Sequence, residues 1–314
     1  MKWKKSALTI STAASLLLGA VPAVSHAQQN DNVVIQQGNG AGILSKANYF
    51  GDLDPSTVVT VDIVMKIQNK DALARYINET TDKNSNHFRK YLRVSEFKAK
   101  FAPSPSQIPA VSKYLNSFGI KRSTYQDNQI ITATGTVDQF NKAFSVDIQK
   151  ASYNGKSFHA TKKNPTAPKS VAENILCILG LSDYSNFKAN SVKRSDTIAP
   201  EDNNSPVGPL RLNPQDLIKQ YNVAPLYNKG ADGSGQTIGI VSLSDFNSLD
   251  AYSFWDLMGI NVKPDRLEKI NIDGSTDWNG YEETTLDVQQ YGALAPQSDI
   301  KAYLAPNTDT GFVN

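Results

Sequence analysis

The 314-residue sequence predicts two globular parts of different class: an α+β part built on a split βαβ sheet, then an α/β part built on a parallel sheet. Three observations predict this. Residues 58–149 run strand-helix-helix-strand-helix-strand, which suits a sheet with helices on one face. From residue 213 onward strands and helices alternate, the pattern of a doubly wound sheet whose ligands collect beyond the carboxyl ends of its strands. Between them, residues 186–210 hold Asn, Ser, Lys, Asp and Pro but few large apolar groups, so they cannot bury enough surface to order themselves. With Lys193-Arg194 near its middle, this stretch reads either as an exposed, cleavable linker or as a plain tether, and composition leaves both open.

Composition bounds the function. At 39% hydrophobic and 20% charged residues the chain is an ordinary soluble globular protein, and a net charge of +2 gives no argument for nucleic acid or an anionic membrane. The single cysteine, Cys177, excludes an internal disulfide framework; within Ile175-Leu176-Cys177-Ile178-Leu179 it reads as a small buried apolar residue. His26, His87 and His159 lie far apart without HExxH or CxxC company, which leaves a zinc site or a Ser-His-Asp triad little to build on. Residues 1–27 read as a signal peptide: Lys2, Lys4 and Lys5 precede a mostly apolar run from Ala7 to Val24, and Ser25-His26-Ala27 places small residues where a signal peptidase reads. Hydroxyls at Thr9, Ser11, Thr12 and Ser15 argue against a membrane span there, and no other stretch approaches about 18 apolar residues. The remaining chain is therefore expected to be secreted.

In the first part, the β-branched run 58–67 is a strand. Residues 71–82 form a helix with Leu73, Tyr76 and Ile77 on one stripe, and 95–101 a short helix stopped by Pro103. Residues 106–118 form a helix burying Ile108, Val111, Leu115 and Phe118, closed by Gly119. Then come a strand at 129–134, a helix at 137–144, and a strand at 146–149 paired through Asn154-Gly155 to 157–160. Gly38-Asn39-Gly40-Ala41-Gly42 lacks phosphate-loop spacing and reads as flexible lead-in. This part holds no catalytic cluster, and a well-packed exported part placed upstream of a second one has the organisation of a pro-segment.

In the second part, Asn213 caps a helix through Pro214 to Tyr221. The near-continuous apolar run 237–243 is a strand of the kind buried in a parallel sheet. A helix at 249–258, a strand at 267–272, a helix at 281–292 and a strand at 298–304 follow. The helix from Tyr281 carries Glu283 and Asp287, four apart and so on one face, about 6 Å along the axis. Two carboxylates so placed repel when both are ionised; in a partly dry cleft they titrate as a unit and one holds its proton to higher pH. That suits a general base with a carboxyl partner that orients it, although the spacing alone is also that of a solvated helix face. Leu286 and Val288 are expected under the sheet. Ser234, in Gly233-Ser234-Gly235, reads as a turn, and nothing marks Ser242 or Ser244 as a nucleophile.

Here the sequence resembles the sedolisins, serine-carboxyl peptidases, and most closely their kumamolisin-like members. The matching residues are Leu212-Asn213-Pro214-Gln215-Asp216-Leu217, Tyr221-Asn222-Val223, 235–240, Glu283-Thr284-Thr285-Leu286-Asp287-Val288 and Ala305-Pro306-Asn307-Thr308-Asp309-Thr310-Gly311-Phe312. Tyr91-Leu92, Phe101-Ala102-Pro103-Ser104 and Gly180-Leu181 match the family's N-terminal activation domain. The resemblance implies a ferredoxin-like activation pro-domain over 28–187, a cleavable linker over 188–210, and the N-terminal part of a subtilisin-like peptidase domain over 211–314. It implies protein or peptide substrates, a contact between pro-domain and peptidase domain, Glu283 as general base for a serine, and Asp287 as the acid that orients it. It also implies calcium in the full-length family member, at a site near its C-terminus that this chain is expected not to contain. The family's Gly-Thr-Ser nucleophile motif does not occur in the 314 residues, so the expectation is a C-terminally truncated precursor, inactive alone. The rival expectations are a secreted inhibitor or chaperone of a related protease and an inactive product.

Overall fold

The computed structural model describes residues 31–38, 41–184, 187, 213–274 and 277–314. The expected signal peptide at 1–27 and linker at 188–210 lie outside the described residues, as does part of the Gly38–Gly42 lead-in. The protein is a mixed α/β chain with several sheets, and residues 32–314 pack as one unit.

In the first region the elements are β1 (Asn32–Val34), β2 (Gln36–Gln37), α1 (Ala41–Leu44), β3 (Asn48–Asp52), β4 (Val58–Met65), α2 (Lys70–Thr81), α3 (Val94–Phe101) and α4 (Gln107–Ser117). They continue with β5 (Lys121–Thr124), β6 (Ile130–Thr136), α5 (Val137–Phe144), β7 (Gln149–Tyr153), β8 (Lys156–Ala160), β9 (Thr166–Pro168), α6 (Lys169–Ala172) and β10 (Ile175–Leu179). The main sheet has the order β2-β10-β4-β6-β5, antiparallel except where β2 runs parallel to β10. Strand β4 buries Val61, Ile63 and Met65 against Val111 and Leu115 of α4 and Phe140 and Phe144 of α5, which together form the core of this region. Helix α5 starts where Thr136 accepts a hydrogen bond from the Gln139 amide (3.3 Å) and Gln139 Oε1 accepts one from the Thr136 amide (2.8 Å), a reciprocal cap.

Several expectations shift here. The strand placed at 146–149 starts at Gln149, leaving Val146 and Ile148 as buried loop residues that plug the core; its hairpin partner through Asn154-Gly155 is as expected. The buried face of α2 ends on Thr80, while Ile77 is 54% exposed. Cys177 is half-buried rather than buried, because β10 turns Ile175 and Ile178 inward and faces Leu176 and Cys177, between them, toward the outside. Strands β5 and β10, absent from the expected order, complete the sheet.

The second region has α7 (Pro214–Gln220), α8 (Ala224–Tyr227), β11 (Thr237–Ser242), α9 (Ser248–Leu257), β12 (Leu267–Asn271), α10 (Tyr281–Leu294), β13 (Asp299–Leu304) and α11 (Asp309–Val313). The three strands form a parallel sheet with β13 in the middle and β11 in register from Thr237↔Asp299 to Ser242↔Leu304. Asn213 caps α7 as expected, accepting from the Asp216 amide at 2.9 Å. Trp255, Phe246, Val288, Ile300 and Ala302 form the core between sheet and helices.

Two expectations are corrected. Strand β11 is not buried on both faces: Ile240 is buried but Val241 is 67% exposed. Helix α10 does not end near Gly292 but passes through it to Leu294. Gly292 instead lets α10 approach α9, since a Cβ there would stand 2.2 Å from Trp255 Cζ2. The carboxyl end of α10 is held by the buried Arg266, whose guanidinium donates to the carbonyls of Gly292, Ala295 and Pro296 and to Ser298 Oγ at 2.7–3.0 Å. That satisfies carbonyls a helix end leaves open and sets a cation at the negative pole.

Candidate active site

At the carboxyl ends of β11 and β13 the first turns of α10 face a cavity of about 180 Å³. Its lining includes Ser242, Ser244, Gly280, Glu283, Thr284, Asp287 and Asn307. Glu283 and Asp287 therefore share one cavity as well as one helix face. Leu286, expected beneath the sheet, is 48% exposed on the opposite side, while Val288 is fully buried. The helical periodicity puts residues 284 and 288 on the core face, so 286 must point away.

The orientation of α10 is set by hydroxyls. Thr284 Oγ1, buried, bonds Ser244 Oγ at 2.7 Å and makes a second, very short contact with Ser242 Oγ. The Ser244 amide donates to Ser242 Oγ at 3.2 Å, so three side chains tie the first turn of α10 to the end of β11. Gly280, at φ 95°, begins the helix in a left-handed conformation that suits glycine. Nothing in the sequence marked Thr284 for this role, because a hydroxyl on a helix is just as often turned to water.

Burial raises the Asp287 carboxyl above the ordinary carboxylate range, and the charge of Glu283 one turn earlier raises it further. Protonated, Asp287 can donate a hydrogen bond toward the carboxyl one turn earlier on the same helix face.

Other candidates behave as structure. Ser234 Oγ donates to Asp232 Oδ1 at 2.7 Å inside its turn, as expected. His159 bonds Asp183 (Nδ1 to Oδ2, 3.1 Å) in the first region, away from the cavity. Burial opposes its charged form, but the hydrogen bond and charge of Asp183 outweigh that, so its pKa is raised. Among the described residues no group of three or more His, Cys, Asp or Glu converges as a metal site, and no helix is long and apolar enough to cross a membrane.

A family profile described as "Pro-kumamolisin, activation domain" matches residues 45–184, which are the first region from just after α1 to just beyond β10. Kumamolisin from Bacillus sp. (strain MN-32) is 27% identical over 270 residues, 82% of this chain and 47% of its own. The chain is similar to the sedolisins along most of its length, and residues 45–184 match the activation domain of pro-kumamolisin. Sedolisin from Pseudomonas sp. (strain 101) is 21% identical over 262 residues, covering 79% of this chain and 43% of its own. Xanthomonalisin from Xanthomonas sp. (strain T-22) is 31% identical over 126 residues, 40% of this chain and 15% of its own. The chain thus spans about half the length of kumamolisin and of sedolisin. The matched activation domain lies wholly within the first region, upstream of the Glu283–Asp287 cavity.

Proposed function

We propose that the protein is the precursor of a secreted, acid-acting serine-carboxyl endopeptidase in which Glu283 is the general base and Asp287 the acid that orients it. The observation that carries this reading is the shared cavity: two carboxyls one helical turn apart, at the carboxyl ends of parallel strands, one of them with a raised pKa. Glu283 takes the proton of a serine hydroxyl as that oxygen attacks the peptide carbonyl, then returns it to the leaving amine. Asp287, protonated, holds the Glu283 carboxyl in place by donating to it. The chemistry belongs to acid because Asp287 must keep its proton while Glu283 is free to accept one.

On this reading residues 28–187 are the activation pro-domain, 188–210 the cleaved linker and 211–314 the N-terminal part of the peptidase domain. The antiparallel order β10-β4-β6-β5, with helices between β4 and β5 and between β6 and β10, supports the ferredoxin-like split βαβ assignment. The parallel sheet β11-β13-β12 with α9 and α10 between successive strands supports the subtilisin-like one. The substrates are proteins or peptides. The residues described do not converge as a site for the calcium that the family resemblance implies, and no step here runs through a metal. A free inhibitory pro-domain, the rival reading, leaves the Glu283–Asp287 cavity without a purpose.

No Gly-Thr-Ser occurs in the 314 residues, so the test uses the product of the whole reading frame as the genome carries it. Peptide hydrolysis in mild acid is expected, with a loss of at least about 10²-fold in Glu283→Gln, the range of a removed general base. Undiminished turnover in Glu283→Gln would overturn the assignment.

A further inference from the structure

One residue described between the two regions, Phe187, also lines the Glu283–Asp287 cavity. Its carbonyl accepts a hydrogen bond of 2.9 Å from Asn307 Nδ2, and its ring stacks on Phe312 with centroids 5.2 Å apart and planes 20° apart. Asn307 lies just beyond the end of β13, after Ala305 and Pro306; the Ala305 amide donates to the Ser242 carbonyl at 2.9 Å and locks the two strand ends together. The other side-chain atom of Asn307, Oδ1, is buried and has no hydrogen-bond partner among the described residues. A buried acceptor left open is costly, which asks for a donor that arrives with a ligand.

Building on the peptidase reading above, we propose that Asn307 grips the backbone of an extended peptide in this cavity, and that the Phe312 ring forms the adjoining subsite, selective for an aromatic side chain. A primary amide carries the same donor and acceptor as a peptide unit. It therefore pairs with a carbonyl through Nδ2 and with an N–H through Oδ1 on one extended strand. Phe187 already shows half of that pairing, since its carbonyl takes the donor and its ring takes the stacking face. Offset stacking on Phe312 favours a flat ring over a branched aliphatic group. Val241, 67% exposed at the same cavity, supplies an apolar flank. The chain's own Phe187 is then the resident occupant that a substrate displaces.

The experiment is a ¹⁹F NMR titration of the full chain with a capped tripeptide, acetyl-Ala-Phe-Ala-amide, carrying 4-fluorophenylalanine. Phe187→Ala is expected to bind it at least about tenfold more tightly than the wild type, whose own ring competes. Adding Asn307→Leu to that variant is expected to weaken binding about tenfold, as loss of a backbone hydrogen bond does. Phe312→Leu keeps an apolar surface without the ring face, and is expected to abolish the preference for the phenylalanine peptide over its leucine analogue. Equal binding by wild type and Phe187→Ala, or no effect of Asn307→Leu, would overturn the proposal. Indifference to the peptide's ring would overturn the aromatic subsite. Binding that behaves as expected in a protein that never hydrolyses peptides would contradict the peptidase reading alone. Hydrolysis without aromatic selectivity would contradict the subsite alone.

Discussion

Strand β4 at the centre of the first region has Val61 and Ile63 wholly buried, while β11 in the second buries Ile240 and leaves Val241 67% exposed. The first sheet is antiparallel over nearly all its pairs and packs α4 and α5 against one continuous core. The second is parallel, so its strands β11 and β13 end at the same edge, and the helix returning from β12 starts beside them. The difference teaches where chemistry can sit. An antiparallel sheet alternates its strand ends and spends them on turns, whereas parallel strands bring several ends, and the loops behind them, to one place. The carboxyl pair and Asn307 collect at that place, while the first region devotes its apolar residues to packing.

The sharpest way to break the comparison is to truncate side chains in each region. Phe140→Ala, in the fully buried first core, is expected to cost about 3–5 kcal/mol in chemical denaturation, whereas Leu286→Ala should stay within about 0.5 kcal/mol. Equal costs would show that the second region's exposed face is covered in solution. Gly292→Ala is expected to cost about 1–3 kcal/mol by driving α10 off Trp255, read in the same denaturation curves. A smaller loss, about 1–2 kcal/mol, is expected for Thr284→Val, which keeps the shape but leaves Ser244 Oγ buried without its partner.

The smallest effect concerns the contact between the regions. Asn314 Nδ2 donates to Asp62 Oδ2 (3.1 Å) on β4 and to Asp273 Oδ2 (2.7 Å) after β12, so two carboxylates face one amide. Burial raises the Asp62 pKa, hydrogen bonds from Thr132 and Asn314 pull it back in part, and the Asp273 charge adds to the rise; Tyr125, close by, is raised too. A carboxyl with a raised folded pKa contributes stability that is complete below its unfolded value and fades as pH climbs through the folded one. Acid therefore relieves the cost of burying the Asp62 charge beside Asp273. Asp62→Asn is expected to melt above the wild type at pH 7, with the gap closing below about pH 4; the unpaired Asn314 Oδ1 can turn to accept from the new amide. A gap that does not change with pH would remove the linkage.

Much of this was readable in the residues. Helix α5 and the capped start of α7 follow from local chemistry, and Glu283 and Asp287 announce themselves by spacing. Strand β5 was not readable, because Lys121-Arg122-Ser123-Thr124 has no apolar alternation and pairs only as a sheet edge. Strand β10 hid behind an apolar run that suits any buried segment, and Gly292 looked like a helix end because its reason, Trp255, lies 37 positions away. The Phe187–Asn307 contact joins residues 120 apart, and no local pattern encodes it.

The central claim is that burial in the cavity, helped by the charge of Glu283 one turn earlier, raises the Asp287 carboxyl above its ordinary range. A ¹³C NMR titration of the Asp287 carboxyl measures this directly. The account predicts a midpoint above the ordinary value of about 3.9 that falls toward it in Glu283→Gln. A midpoint at or below the ordinary value, unmoved by that substitution, would contradict it.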